Sequence, residues 1–220
     1  MLTKRQRAAT AGLLAAVAFA VTGCSSDSGG GSDGDKIEGA GSQENSSASP
    51  SASASAEKNA PTFAFPADIK VTVENDSTGD AAKDAVLRDV AHSARTRLEA
   101  FAKGDARTAN MNRYFAASAL TYWTERVASV KKDGLTVSGD YRFYGFEVTD
   151  IENGKTAAVR YCEDQSKGYS KEIKTQKVLH TNPSDQDYIL YTLQASKDSA
   201  GDWQVQRQSW KKGDASCVQG

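Results

Sequence analysis

The residues Leu135-Thr-Val-Ser-Gly-Asp-Tyr-Arg-Phe-Tyr-Gly-Phe-Glu-Val148 form the stretch that decides the fold of this chain. Apolar and polar residues alternate from Leu135 to Phe143, and this period of two predicts a strand with one buried face. The alternation continues through Tyr144 and Phe146 in the opposite phase. A phase shift beside a glycine is typical of a β-bulge or a sharp bend, so the stretch predicts one long, bent strand.

Two amphipathic helices are predicted before this strand. The first runs from Asp80, which is a suitable N-cap, to about Lys103, and Gly104 is suited to end it. The second is predicted over residues 116–132 and ends at Gly134. The apolar residues of the first helix recur three or four positions apart and therefore share one face. They are Leu87, Val90, Ala91, Ala94, Leu98 and Phe101.

A meander of antiparallel strands is predicted after the bent strand. Asn153-Gly154 is a strong hairpin signal, and the partner strand is predicted from Thr156 to Asp164. Residues 168–181 are polar and predict at most one weak hairpin arm. Further strands are predicted over residues 68–74, 188–195 and 203–210. This order of elements predicts an α+β domain in which N-terminal helices pack on a curved antiparallel β-sheet.

The first 23 residues have the features of an export signal. The first seven contain three cations and no acid, and residues 8–23 are an Ala-, Leu- and Val-rich run shorter than the ~20 residues that span a bilayer. Val21-Thr-Gly-Cys24 looks like the lipobox of a bacterial lipoprotein. This resemblance implies cleavage before Cys24, a lipid on its sulfur, and attachment to the extracytoplasmic face of the cell membrane. A signal anchor followed by an ordinary cysteine is the alternative.

Residues 24–60 predict a disordered tether, because they are rich in Ser, Gly and Ala and contain one isoleucine and no aromatic residue. As a flexible coil, a chain of this length reaches roughly 30–36 Å root-mean-square. Residues 61–220 predict one domain that is large enough to bury its own core. This part holds 22 residues of each charge sign. It has no broad attraction for nucleic acid, and no nucleic-acid partner is expected.

The three cysteines and two histidines restrict the chemistry of the domain. With Cys24 assigned to the lipid, Cys162 and Cys217 form an even pair in an exported, oxidising setting, which predicts a disulfide. No C-x-x-C motif is present, so a structural bridge is favoured over a redox pair. His92 and His180 are too few for a zinc site or a His-based triad. The sequence has no nucleotide-binding or hydrolase motif, and no metal or cofactor is expected.

The order of elements resembles the NTF2-like (SnoaL-like) cone fold over residues 80–217. The resemblance is carried by Ala100-Phe-Ala-Lys-Gly-Asp105 at the end of the first helix, by Tyr122-Trp123 in the second, and by the bent strand. The loop 182–188 and the Trp-rich last strand with a late cysteine also resemble exported lipoproteins of high-GC Gram-positive bacteria. The cone-fold family includes isomerases, cyclases and binding modules, so the fold alone assigns no activity.

A cone-fold enzyme of this kind uses a carboxylate in an apolar cavity, beside a tyrosine or a second acid, as in steroid isomerases of this fold. The alternation of the strands places Asp140 and Glu147 on the outer face, and no acid lies within an apolar run. The strand acids are therefore interpreted as solvent-exposed, and no catalytic residue is predicted. The acids considered are Asp140, Glu147, Glu163 and Asp164, and the tyrosines considered as donors are Tyr114, Tyr141, Tyr161 and Tyr191.

Aromatic residues of the second helix and of the strands can line a ligand pocket or simply fill the core. They are Tyr122, Trp123, Tyr141, Phe143, Tyr161, Tyr191, Trp203 and Trp210. The favoured hypothesis is non-catalytic binding of a small apolar molecule or an envelope protein by a membrane-anchored lipoprotein. The first alternative is an isomerase or hydro-lyase with one buried carboxylate. The second is an accessory subunit of a membrane or envelope complex.

Overall fold

A computed structural model describes residues 59–218. The predicted signal peptide, the predicted lipid site Cys24 and the predicted tether up to residue 58 lie outside the described residues. These three assignments therefore stay predictions from the sequence, and the description that follows concerns the domain.

Three helices precede the main part of the sheet: α1 (Ala81–Lys103), α2 (Ala109–Tyr114) and α3 (Ala117–Lys132). The Asp80 carboxylate accepts hydrogen bonds from two backbone N–H groups of the first turn, at 2.8 and 3.2 Å, and so caps α1 as predicted. Gly104 ends α1 in the left-handed conformation, with φ of 61°. None of the helices in residues 59–218 is both long enough and apolar enough to cross a bilayer.

The sheet contains six strands: β1 (Ile69–Val73), β2 (Leu135–Glu152), β3 (Thr156–Glu172), β4 (Val178–Leu179), β5 (Tyr188–Lys197) and β6 (Trp203–Lys212). Its order is β1-β2-β3-β5-β6, and β4 pairs with β3. β1 runs parallel to β2, and the other pairs are antiparallel. Helices followed by a curved antiparallel sheet make a mixed α+β fold, which confirms the predicted fold class.

β2 is the bent strand that the alternation predicted. Its register against β3 shifts between Tyr144 and Glu147, around Gly145, whose φ is 62°. A second shift follows Asp140, next to Gly139 with φ of 96°. A Cβ atom at Gly139 would collide with the Lys167 carbonyl oxygen, so this bend requires glycine.

The hairpin between β2 and β3 turns at Asn153 and Gly154, whose φ angles are 51° and 63°. Two positive φ angles are the requirement of a type I′ turn, which explains the Asn-Gly signal. The predicted end of β3 at Asp164 is wrong, because the strand continues to Glu172. Its polar second half pairs with residues 135–140 of β2, so cross-strand hydrogen bonds form there without an apolar pattern on β3.

The core lies between the helices and one face of the sheet. On β3 the side chains of Ala157, Val159 and Tyr161 are buried in it. The other face of β3 carries Cys162, which forms a disulfide with Cys217 across a Cα–Cα distance of 5.5 Å. The disulfide therefore holds the C-terminal tail against the outer face of the sheet, where Tyr144 packs beside it.

Candidate ligand-binding site

A pocket of about 810 Å³ lies between α1, α3 and the inner face of the sheet. Its volume falls in the range of about 300–1,000 Å³ that is typical of small-molecule sites. Seven of the 22 lining residues carry aromatic rings, and two helices and four strands contribute them. They are Phe101, Tyr122, Trp123, Tyr141, Tyr169, Tyr191 and Trp210. The aromatic residues that the sequence analysis could assign either to a pocket or to the core therefore divide between the two.

Trp210 lies on the pocket wall with 40% of its surface exposed. Its ring centroid is 5.0 Å from that of Tyr122 and 6.1 Å from that of Trp123. Tyr122 and Trp123 meet edge to face at 4.8 Å. This cluster from α3 and β6 forms one continuous aromatic wall, and such rings stack well on planar ligands.

A buried ion pair lies in the same pocket. The Arg97 Nη2 atom of α1 donates a hydrogen bond of 2.7 Å to the Glu163 Oε2 atom of β3. Each residue exposes 4% of its surface, and both line the pocket. The pair therefore places one positive and one negative group, both buried, beside the aromatic residues of the cavity.

Aromatic rings surround the Arg97 guanidinium. Its central carbon lies 4.4 Å from the ring centroid of Tyr191 and 4.9 Å from that of Trp123. Burial is the largest single effect and lowers the pKa of Arg97, but the Glu163 carboxylate and the Tyr161 and Tyr191 phenols together outweigh it, and the net effect is a raised pKa. Arg97 is therefore a permanent cation that is held by cation–π contacts as well as by Glu163.

Three tyrosines lie close to the ion pair. Burial raises the pKa of Tyr141, Tyr161 and Tyr191; the Glu163 carboxylate adds to the shift, and Arg97 opposes it. A hydrogen bond to Glu163 also contributes at Tyr191. These phenols are therefore neutral at physiological pH and can act as hydrogen-bond donors. The fourth tyrosine considered, Tyr114, is buried elsewhere, beside His92 at a ring separation of 5.5 Å.

The four strand acids differ in their burial and in their partners. Asp140 and Glu147 are exposed, as predicted, and Glu147 pairs with Arg160 at 2.6 Å. Asp164 is half-buried and accepts a hydrogen bond from the Ser166 backbone N–H at 2.8 Å.

The interpretation of Glu163 as solvent-exposed is wrong. Glu163 follows Tyr161 by two positions, so the pleat of β3 turns its side chain to the inner face. It can be buried there because Arg97 lies across from it.

Arg97 is the residue that sequence reasoning missed. It lies three positions after Ala94 and four before Phe101, within the apolar stripe of α1. A cation on the buried face of a helix, together with an acid in phase with buried strand residues, is the signal that indicates a pair of this kind.

A second buried acid, Asp89, lies outside the pocket, where it pairs with Arg88 at 2.9 Å and accepts a hydrogen bond of 2.9 Å from the Trp203 backbone N–H. His180 is exposed and contacts the Tyr169 ring at 4.5 Å. Among residues 59–218, no three His, Cys, Asp or Glu side chains are grouped so as to hold a metal ion. The large apolar side chains exposed in the same range are Ile173 and Trp210.

Comparison with known proteins gives similarities to solved structures. No protein-family model matches the chain, and no curated protein matches it. The intermembrane space region of the chloroplast protein ARC6 is similar at 17% identity and a TM-score of 0.41, over 56% of this chain and 92% of that one. A ketosteroid isomerase-like protein from Erwinia carotovora atroseptica is similar at 20% identity and a TM-score of 0.39, over 58% and 94%. Likenesses at this level give no indication of activity.

Proposed function

We propose that this protein is a lipid-anchored, extracytoplasmic binding protein whose α+β domain takes up a small, largely apolar molecule between its helices and its sheet. The observation that carries the proposal is the aromatic pocket of about 810 Å³. A cavity of this size with a few polar groups on an apolar wall is the usual form of a small-molecule site.

The polar groups of the pocket favour binding over catalysis. A general base must reach a substrate proton, but one oxygen of Glu163 is already bonded to Arg97. The same carboxylate also adds to the raised pKa of the buried Tyr191 phenol. The bond to Arg97 therefore holds the carboxylate in place, and the pair serves better as a fixed recognition element than as a proton carrier.

The cellular location in this proposal rests on the sequence. The lipobox-like Val21–Cys24 places a lipid at the start of the mature chain, and a thioether diacylglycerol supplies the two acyl chains that stable attachment needs. The predicted tether then separates the domain from the bilayer. The ligand would accordingly be a molecule of the cell envelope or of the surroundings.

Calorimetric titration with a neutral two-ring aromatic, 1-methyl-2-quinolone, tests the binding proposal. Ser170 lies at an exposed position on the pocket wall, and Ser170→Trp is expected to reduce the affinity at least about tenfold by filling the cavity. The matched control is Thr192→Trp, because Thr192 is exposed on the other face of β5. Absence of binding both by this probe and by its parent 2-quinolone, or equal loss in both variants, would refute pocket binding.

Glu163 also supports a second candidate function, that of an isomerase or hydro-lyase. It is a carboxylate in an aromatic pocket with three neutral tyrosines nearby, which is the arrangement that such an enzyme needs. The test is exchange of the α-hydrogens of 2-tetralone for deuterium, followed by NMR. Exchange that is faster with the protein than in buffer, and that falls to the buffer rate in Glu163→Gln, would establish catalysis. Exchange at the buffer rate with the parent protein would leave the binding function.

A further inference from the structure

The Arg97–Glu163 pair has hydrogen-bonding capacity that it does not use within the domain. A guanidinium has five N–H donors, and a carboxylate has about four acceptor sites. Among residues 59–218 the Arg97 side chain makes one hydrogen bond, to Glu163. Glu163 accepts that bond through its Oε2 atom. Since both residues line the pocket, their remaining donors and acceptors are available to a ligand.

The charge of the pair selects the kind of polar group that it can bind. Arg97 and Glu163 lie 2.7 Å apart and cancel each other. The other charged residues that line the pocket are the exposed Arg126 and Lys212 and the half-buried Asp187. A carboxylate ligand would be attracted by Arg97 but repelled by Glu163. An ammonium ligand would be attracted by Glu163 but repelled by Arg97. A neutral group with an acceptor for Arg97 and a donor for Glu163 meets both needs without repulsion.

The aromatic wall restricts the shape of the ligand. Tyr122, Trp123 and Trp210 have ring centroids 4.8 to 6.1 Å apart and belong to the same wall. Trp123 also packs against the Arg97 guanidinium, so the aromatic surface continues to the ion pair. A flat ring system that lies on this wall would carry its polar edge to the pair.

We propose that the Arg97–Glu163 pair recognises the polar edge of a neutral, planar ligand that carries an N–H donor next to a C=O acceptor, as in a cyclic amide fused to an aromatic ring. The acceptor binds Arg97 and the donor binds Glu163. This inference names the ligand class of the pocket and rests on the proposed binding function.

Three isothermal titrations on the membrane-extracted protein in lipid nanodiscs test the inference, with empty nanodiscs as the reference. The probe 2-quinolone carries the donor and the acceptor on one edge, 1-methyl-2-quinolone lacks the donor, and 2-naphthoate is an anion of similar size. We expect 2-quinolone to bind at least about tenfold more tightly than either of the others, since each comparison removes or opposes one charge-assisted hydrogen bond.

A double variant separates hydrogen bonding from steric effects of the methyl group. In Arg97→Met with Glu163→Leu the pair is replaced by apolar side chains of similar size, which cores often tolerate. The preference for 2-quinolone over its methyl derivative is expected to fall below about threefold in this variant, while both still bind. Near-UV circular dichroism shows whether the double variant folds. If it does not fold, the three titrations of the parent chain alone test the proposed ligand class.

The outcomes distinguish the ligand class from the binding function. Equal affinity for the two quinolones would refute the proposed class but leave pocket binding in place. Tightest binding of 2-naphthoate would show that Arg97 acts as an anion receptor and would also refute it. If the double variant still prefers 2-quinolone over its methyl derivative, the steric effect of the methyl group causes the preference. This outcome would also refute the proposed class. If no probe binds, both proposals are wrong.

Discussion

Removing one member of the buried Arg97–Glu163 pair is expected to destabilise the domain more than removing both. Each residue is 4% exposed and the two are joined at 2.7 Å, so Glu163→Leu leaves a desolvated cation without its counter-ion. An uncompensated buried charge of this kind costs about 3–5 kcal/mol of unfolding free energy. The single substitution should therefore remove a large part of the stability of a domain of this size.

The opposite single substitution is expected to have a smaller effect. In Arg97→Met the remaining buried carboxylate can take up a proton and become neutral, whereas a guanidinium keeps its charge. The double variant replaces the pair by apolar side chains but also removes the contacts of Arg97 with Trp123 and Tyr191. Its stability should lie within about 2 kcal/mol of the parent, so the coupling energy of the cycle should exceed the cost of Arg97→Met alone by at least about 1 kcal/mol.

Urea unfolding of a fragment of residues 59–220, followed by tryptophan fluorescence at neutral pH with the disulfide intact, measures all four corners of this cycle. The control is a cycle on Glu147 and Arg160. These side chains also form an Arg–Glu pair between neighbouring elements, at 2.6 Å, but are 53% and 50% exposed. Their coupling should be below about 1 kcal/mol. Additive effects at Arg97 and Glu163, or equal coupling in the two cycles, would refute the argument that burial gives the pair its importance.

Three further predictions concern other parts of the molecule. Replacing Cys162 and Cys217 by Ala should lower the unfolding free energy by about 4 kcal/mol, because the bridge closes a loop with a sequence separation of 55; an unchanged urea midpoint would contradict this. The unfolding temperature should fall as the pH rises above about 10, where phenols of the unfolded chain ionise while burial keeps those of the pocket protonated. Tyr191→Phe should make that fall shallower, and an equally steep fall would contradict the assignment. Intact mass of the membrane-extracted protein should show residues 1–23 removed and lipid mass on Cys24; an unmodified full-length chain would exclude the anchor.

The local features of the fold could be predicted because each follows from neighbouring residues. The cap at Asp80 and the end of α1 at Gly104 depend on one side chain and one backbone conformation. The bend of β2 around Gly145 and the turn at Asn153-Gly154 depend on positive φ angles that few residues adopt. The end of β3 was missed because its polar half is held by cross-strand hydrogen bonds to β2, which leave no pattern in the sequence.

The candidate site could be predicted only as a set of aromatic residues. The division of those residues between core and pocket depends on how closely α3 approaches the sheet. Trp203 is buried, whereas Trp210, on the same strand, is 40% exposed on the pocket wall. Periodicity indicates which face a side chain occupies but not whether that face is filled.

By itself, the sequence determined the α+β order of elements, the bend of β2 and the charge balance of the domain, since these depend on local pattern and composition. It also supplies the prediction of an export signal and a lipid on Cys24. The tertiary structure alone decided that Arg97 and Glu163, which are 66 positions apart, meet inside the pocket. The physical reason is that a charged side chain enters an apolar interior only with its partner, and the partner is chosen by the packing of α1 on β3.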